Sequence, residues 1–342
     1  MTEQKQYRVA VVGATGAVGE AMMSILEERA FPVSELIPLA GERSAGSSVT
    51  FRKKELTVGL LQDFDFSGVD IGLFSAGGSV SREFAPKAAA AGCVVVDNTS
   101  EFRYQDDIPL VVSEVNPHAL ADYGNHNIVA NPNCSTMQLM VALAPIHRAA
   151  GIERINIATY QSVSGAGRKG MEELAHQTTQ LLNFKTAKPE VFQDQIAFNA
   201  IPHIDVFLDN GYTKEEMKLV WETRKILEDP EIGVNATAVR VPVFYGHAEA
   251  VHLETRDPIE PDAVRELLRQ AEGVEVVDAM ENGGYPTQVR HAAGNDPVFV
   301  GRIRRDISHP RGLDLWVVSD NLRKGAALNT VQIAELLVKF HL

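Results

Sequence analysis

Tyr7-Arg8-Val9-Ala10-Val11-Val12-Gly13-Ala14-Thr15-Gly16-Ala17-Val18-Gly19 is the stretch from which the fold is read. Tyr7–Val12 is rich in β-branched residues and short enough for one buried strand. The glycines at 13, 16 and 19 follow at once, and an apolar helical pattern runs on to about Arg29. A strand, a glycine loop and a helix in that order make a site for a dinucleotide. The first glycine permits the tight turn, the second lets backbone approach a pyrophosphate, and the third allows close packing of helix on strand. The helix N-terminus then faces the anion.

Downstream, strands are expected at Glu35–Leu39, Gly72–Ser75 and Val94–Asp97, with a helix near Arg82–Ala91. This alternation predicts right-handed βαβ units and a parallel sheet. The first domain is therefore α/β and doubly wound, of Rossmann type, over residues 1–133. After it the pattern changes. A long strand is expected at Ile152–Ser162, a helix from Gly165-Ala166-Gly167 to about Leu182, and a loop-rich stretch at Phe184–Asp209. Lys214–Leu227 reads as a helix, with Thr213 and Glu216 at capping-box spacing. Asn235–Phe244 and Glu249–Arg256 read as paired strands around Tyr245-Gly246-His247. Pro261–Ala271 reads as a helix, and Val298–Arg304 and Leu313–Val318 as strands. The second domain is thus α+β over residues 134–321. A last helix, Leu322–Phe340 in the C-terminal stretch 322–342, is expected to pack back on the first domain.

Composition narrows the function. The chain has 342 residues, 45% apolar and 23% charged, with a net charge of −13. The length favours two domains. The acidic balance argues against nucleic acid or an anionic membrane as partner. No stretch has the length of a membrane span, and the N-terminus lacks the apolar region of a signal peptide. A cytoplasmic, reducing location is the expectation.

That location suits a free reactive thiol. Of the two cysteines, Cys93 opens an apolar strand and reads as a small buried hydrophobe. Cys134 lies in Asn131-Pro132-Asn133-Cys134-Ser135-Thr136, ahead of an apolar helical run. With Asn133 as N-cap, its sulfur falls in the first helical turn, where the dipole and free N–H groups favour a thiolate. Cys134 is the candidate nucleophile.

Cofactor choice is read after the second strand, in Gly41-Glu42-Arg43-Ser44. An acid there suits the ribose hydroxyls of NAD, and an arginine suits the 2′-phosphate of NADP. Both are present. Arg43 and Ser44 form a donor pair matched to phosphate, so NADP is expected. None of the ten histidines forms a metal-ligand pattern, and no metal is expected. His247, His203, His252 and His291 are all candidate bases, and spacing does not choose among them.

Further segments add to the glycine loop and the cysteine. These are Arg43-Ser44, Gln161 to Gly167, Glu215-Glu216-Met217-Lys218, Arg240-Val241-Pro242-Val243-Phe244-Tyr245-Gly246-His247, and Asn321 to Ala326. Over nearly its whole length the chain resembles the aspartate-β-semialdehyde dehydrogenases. The resemblance implies a second domain like that of glyceraldehyde-3-phosphate dehydrogenase and a homodimer or homotetramer. It implies NADP-dependent, reversible reduction of L-aspartyl-4-phosphate to the 4-semialdehyde, on the route to lysine, threonine and methionine. By the same resemblance Cys134 carries an acyl-thioester, His247 is its acid/base, and Gln161 orients the substrate. Arg240 holds the substrate carboxylate and Glu215 faces its ammonium. Arg103, Lys218 and Asn133 hold inorganic phosphate. Thr15, Gly16, Ala17 and Val18 receive the pyrophosphate, Arg43 and Ser44 the 2′-phosphate, and Ser164, Gly165 and Asn321 lie near the nicotinamide.

Plainer readings stand beside these. Glu215 and Lys218 are three apart on a helix and suit a surface ion pair. Arg103 has Glu101 and Asp106 close by in sequence, and Gln161 suits a half-buried strand. Arg240 is the exception, since a charge in an apolar strand is costly without a partner. N-acetyl-glutamyl-phosphate reductase shares the thioester logic but has no free ammonium for Glu215 to meet. A non-catalytic nucleotide-binding relative would have no use for Cys134, Gln161, Arg240 and His247 together.

Overall fold

The computed structural model describes residues 5–342, in two compact units. The first contains residues through Pro132 and the C-terminal stretch Ala326–Leu342; the second is Asn133–Gly325.

In chain order the first unit has β1 (Tyr7–Val12), α1 (Ala17–Glu28), β2 (Val33–Ala40), β3 (Ser48–Phe51), β4 (Lys54–Thr57) and β5 (Gly59–Leu60). There follow β6 (Ile71–Phe74), α2 (Gly78–Ala90), β7 (Val94–Asp97) and β8 (Ile128–Ala130). Six strands form a parallel sheet in the order β5-β2-β1-β6-β7-β8. The chain builds outward from β1 on one side, then returns to build the other. The switch point lies between β1 and β6, where open α/β sheets bind ligands. The central strands are buried along their length, as expected of a sheet covered on both faces.

The glycine loop sits at that switch point. Gly13 has φ +90°, and a Cβ there would lie 2.7 Å from the Ser75 carbonyl oxygen after β6. A Cβ on Gly19 would lie 2.3 Å from the Gly13 oxygen. Both positions require glycine, one for conformation and one for the approach of α1.

The C-terminal helix, Leu328–Phe340, belongs to this unit. Its Val331, Ala334 and Leu337 share a core with Met22, Ile25 and Leu26 of α1. Arg29 clamps Glu335 through two bonds of 2.7 Å. The helix begins six residues later than the sequence pattern predicts, because Arg323–Ala327 form a wide π-type turn first.

The second unit contains α3 (Cys134–Ala150), β9 (Ile152–Gln161), α4 (Gly167–Leu182), α5 (Lys214–Ile226), β10 (Gly233–Arg240) and β11 (His247–Thr255). It continues with α6 (Pro261–Gln270), β12 (Val274–Val276), β13 (Val298–Arg305) and β14 (Gly312–Ser319). Its mixed sheet runs β10-β9-β11-β14-β13-β12. The expected pairing of the strands now seen as β10 and β11 is not found. β9 lies between them, parallel to β10 and antiparallel to β11. Helices α3, α5 and α6 pack on the sheet. Val251, Leu253, Leu315 and Val317 are buried on one face, while Tyr160, His252, Asp314 and Trp316 of the alternate face are partly exposed.

Glu249 breaks the apolar pattern of the buried face. It is fully buried, and its carboxyl oxygens have no hydrogen-bond partner of normal length among the described residues. Burial raises its pKa well above the usual carboxylate range, and the amide of Gln138 on α3 offsets this only in part. The group therefore folds as the neutral acid. Such a group adds no penalty while the unfolded chain is also protonated, below about pH 4. The penalty grows as the pH rises from there toward the folded-state value. Glu249→Gln keeps the shape without the proton, so its thermal stability should exceed the parent's by a margin that widens from about pH 5 to about pH 8. A margin independent of pH in thermal melts would show that Glu249 is ionised in the fold.

Candidate active site

Three strand ends and one helix start converge in the second unit. β9 and β10 run parallel and in register, so Gln161 and Arg240 close them side by side. β11 runs the other way and opens with His247 next to the end of β9. Helix α3 begins with Cys134.

Cys134 is in no disulfide and is partly exposed. Its helix is capped by Asn133, whose side-chain oxygen accepts from Ser135 N at 3.0 Å and Thr136 N at 3.4 Å. The cap is held at both ends by α5. Glu222 accepts from the Asn133 backbone N at 2.6 Å, and Glu215 accepts from Asn133 Nδ2 at 3.0 Å. A Cβ on Gly325 would lie 2.9 Å from Cys134 Cβ, so glycine makes room for this turn. Cys93, by contrast, is buried, and burial pushes its thiol up to about 12, the inert behaviour its sequence context predicts.

Glu215 is the hub of the cluster. Besides Asn133, it accepts from Gln161 Nε2 at 3.1 Å and from Lys218 Nζ at 2.7 Å. Burial raises its pKa, but the charge and hydrogen bond of Lys218, with the two amides, outweigh that and hold it well below the carboxylate range. Lys218 responds in the opposite sense: burial lowers its pKa, and Glu215 and Asp205 more than restore it. Both groups are therefore charged. The i,i+3 pair suggested by the sequence exists, but the Glu215 side chain is 8% exposed and Lys218 12%, so it is not a surface pair.

Gln161 Nε2 lies 3.5 Å from His247 Nε2. At its other nitrogen, Nδ1, His247 accepts from the Ser162 backbone N at 3.1 Å, with Ser162 Oγ at the same distance. A backbone N–H can only donate, which leaves Nδ1 the acceptor and Nε2 the protonated atom of a neutral ring. The pKa of His247 is pushed down to about 3, first by burial and then by the Arg240 charge. Gly165 faces the ring edge, with its Cβ position 3.4 Å from His247 Cε1 and 2.8 Å from Arg240 Nη1.

Arg240 is 6% exposed. Its Nη1 donates to the Ser162 carbonyl at 2.7 Å, and the guanidinium lies 5.8 Å from the Phe192 ring centre. No carboxylate forms an ion pair with it among the described residues. Burial lowers its pKa, and the more distant charges of Glu215 and Cys134 act against that. The cluster is thus a thiol at a helix start, a neutral imidazole, a buried carboxylate–ammonium pair and a guanidinium without a counter-ion.

Ser164 and Asn321 lie in the same unit. Asn321 Oδ1 accepts from Ser162 Oγ, Ser164 Oγ and Gly246 N, each at 3.0 Å. It ties the loop after β9 to the turn before His247. The other expected residues are in the first unit. Thr15–Val18 form the turn into α1, whose start has no side-chain cap, so backbone N–H groups are left for a ligand. Arg43 is exposed in the turn after β2, next to Ser44, and no ion pair joins it to Glu42 among the described residues. Arg103 follows β7, 5% exposed, with Nη2 donating to Asn98 O at 3.0 Å; Glu101 is engaged by Arg82.

Residues 8–123 match the family described as semialdehyde dehydrogenase, NAD binding domain, and residues 143–324 the semialdehyde dehydrogenase dimerisation domain. The aspartate-semialdehyde dehydrogenase of Legionella pneumophila is 62% identical over 333 residues, covering 97% of this chain and 96% of that protein. The chain belongs to the aspartate-semialdehyde dehydrogenase family. The crystal structure of aspartate semialdehyde dehydrogenase II from Vibrio cholerae, complexed with ASA, superposes with a TM-score of 0.97 at 60% identity, covering 99% of this chain and 100% of that one. The enzyme from Candida albicans, solved with NADP, gives 0.75 at 26% identity, covering 97% and 98%.

The family pattern did not single out Ser162 and Glu222 in the sequence. Ser162 sits inside the Gln161–Gly167 segment, and its amide fixes the histidine tautomer. Glu222 lies seven residues after Glu215, on the same face of α5, so its helical spacing was available to read. The tautomer has a direct check. The His247 ring should remain neutral down to about pH 4 in nitrogen-15 spectra, given a pKa pushed to about 3. An inflection near the free-histidine value would contradict the burial argument.

Proposed function

We propose that the chain interconverts L-aspartyl-4-phosphate and L-aspartate 4-semialdehyde with NADP, through a thioester on Cys134. The observation that carries this reading is the buried, carboxylate-free Arg240 guanidinium in the same cluster as the helix-start thiol. A buried cation without a counter-ion is a site for an anion, and the substrate α-carboxylate supplies one in bidentate geometry. Glu215, ionised and buried, accepts the α-ammonium group. That the Vibrio cholerae enzyme was solved complexed with ASA supports this reading.

The residues act as follows in the oxidative direction. The Cys134 thiolate adds to the aldehyde carbon, and the carbonyl oxygen becomes an alkoxide. His247 Nε2–H donates to that oxygen as charge builds there. Loss of hydride from the adduct leaves a thioester on Cys134. Gln161 holds the acyl group in place. Phosphate, held by Lys218 and Asn133, attacks the thioester carbonyl. The Cys134 thiolate leaves, and the acyl phosphate is released with the phosphate proton passing to solvent. The reverse sequence reduces the acyl phosphate.

NADP supplies the hydride acceptor or donor. The first unit fits it: the uncapped start of α1 at Thr15–Val18 suits a pyrophosphate, and exposed Arg43 with Ser44 suits the 2′-phosphate. The Candida albicans relative was solved with NADP. Ser164, Gly165 and Asn321 shape the nicotinamide end. A homodimer or homotetramer forms through the second unit, and the enzyme serves lysine, threonine and methionine synthesis in the cytoplasm.

Cys134→Ala should lower phosphate-dependent NADPH formation by about 10⁴-fold or more while leaving NADP binding by titration intact. Turnover at the parent rate would rule out the thioester. Arg43→Ala should raise the KM for NADPH about tenfold and leave that for NADH little changed, since roughly one charge-assisted contact is lost. Equal effects on both cofactors would remove Arg43 from the 2′-phosphate site. With N-acetylglutamyl phosphate the parent should show no turnover, because Glu215 then meets no ammonium.

A further inference from the structure

Lys218 is already doubly compensated before any phosphate arrives. Its Nζ is 2.7 Å from Glu215 Oε2 and 2.9 Å from Asp205 Oδ2. The two carboxylates differ in how they are held. Glu215 is shared with Asn133 and Gln161, and its side chain is 8% exposed. Among the described residues Asp205 bonds no other member of the cluster, and its side chain is 30% exposed. It is the more exposed of the two partners of a lysine whose side chain is 12% exposed.

The backbone places Asp205 there. Ile201 exchanges two backbone hydrogen bonds with Arg240, of 2.9 and 2.8 Å, at the end of β10. A few residues on, Lys214 N donates to Val206 O at 2.8 Å, and Phe207 bridges to Thr213 at the start of α5. The segment is thus strapped from Arg240 to the helix that carries Lys218, and Ile204 in its middle is buried. Asp205 has φ +69°, a left-handed conformation that L side chains rarely adopt. Its Oδ1 accepts from Val206 N at 2.9 Å, which leaves Oδ2 turned to Lys218.

We propose that Asp205 is a built-in counter-ion for Lys218 that sets the affinity of this site for phosphate. The proposal rests on the reading of Lys218 as a phosphate ligand. Lys218 and Glu215 alone sum to zero charge; Asp205 brings the trio to −1. An incoming phosphate must displace Asp205 from the ammonium or bind beside two carboxylates, and both weaken it. In return, Lys218 stays charged and oriented between turnovers. Discounted phosphate binding also serves turnover, because a ground state held too tightly lowers KM without raising kcat.

The test is steady-state oxidation of aspartate semialdehyde by the full chain, with inorganic phosphate as the varied anion. In Asp205→Asn the KM for phosphate should fall about three- to tenfold relative to the KM for the aldehyde, the size expected when one partly exposed charge is removed. Asp205→Gly removes the same carboxylate and suits the left-handed backbone, so it should show the same fall if the asparagine variant does not fold. A rise in both variants would make Asp205 a support for Lys218, and no change would make the pair incidental; each overturns the proposal. Lys218→Ala separates the two readings. If it raises the phosphate KM while the Asp205 variants leave it alone, only the counter-ion role fails. If Lys218→Ala does not raise it, the phosphate assignment of Lys218 fails as well.

Discussion

The buried carboxylate of Glu215 is the constraint on which the second unit's site depends. A charge out of water costs several kcal/mol unless it is paired and hydrogen-bonded, and removing one partner of such a group costs about 3–5 kcal/mol. Glu215 meets that demand with three donors from three elements: Asn133 ahead of α3, Gln161 at the end of β9, and Lys218 one turn on in α5. Satisfying it brings the start of α3, the end of β9 and α5 to one point. Asn133 then passes the constraint to Cys134, because the same side chain that donates to Glu215 caps the thiol's helix. With its own amide fixed by Glu222, the cap has little freedom to rotate away.

The mixed sheet supplies the rest of the geometry. A parallel pair brings two C-terminal ends to the same level, and an antiparallel neighbour brings an N-terminal end beside them. β9 and β10 contribute Gln161 and Arg240 in that way, and β11 contributes His247. A simple hairpin between β10 and β11 would place Arg240 and His247 on adjacent strands but would leave no slot for Gln161. Putting β9 between them lets one loop, Ser162–Gly165, touch both. Ser162 donates to the histidine and accepts from the arginine through its carbonyl. Asn321 then pins this loop to the turn before His247.

The features legible in the sequence are those set by local chemistry. Gly13 and Gly19 are demanded by φ and by close packing, and the capping box of Thr213 and Glu216 forms with both of its bonds. Asn133 and Cys134 follow from the same helix-start logic. Features set by distant partners were not legible. The β10–β9 pairing is parallel and joins residues about eighty apart, so no turn announces it. The β3–β4 hairpin closes through Arg52 and Lys53, both at positive φ, where Asn-Gly is the usual signature. Asp205 lies in the loop-rich stretch after α4, where period carries no information and a long bridge to Arg240 decides the placement.

Arg240 and His247 show how one buried cation shapes two neighbours. Had the guanidinium been paired with a carboxylate, its field at His247 would be largely cancelled and the site would hold no place for a substrate anion. Burial keeps the imidazole neutral, and the guanidinium, left with a carbonyl and an aromatic face, adds to that, so the ring can donate from Nε2 without becoming a second cation. The same field favours the anionic form of a thiol within its reach, and Cys134 is one of the charges that Arg240 senses. A neutral histidine in the same cluster as a thiolate is the state that the proposed attack on a carbonyl needs. An incoming carboxylate would then quench the cation it binds, and so adjust the proton affinities of both groups as the substrate docks. The cost of burying an arginine without a carboxylate partner is in this way tied to the proposed chemistry of the cluster.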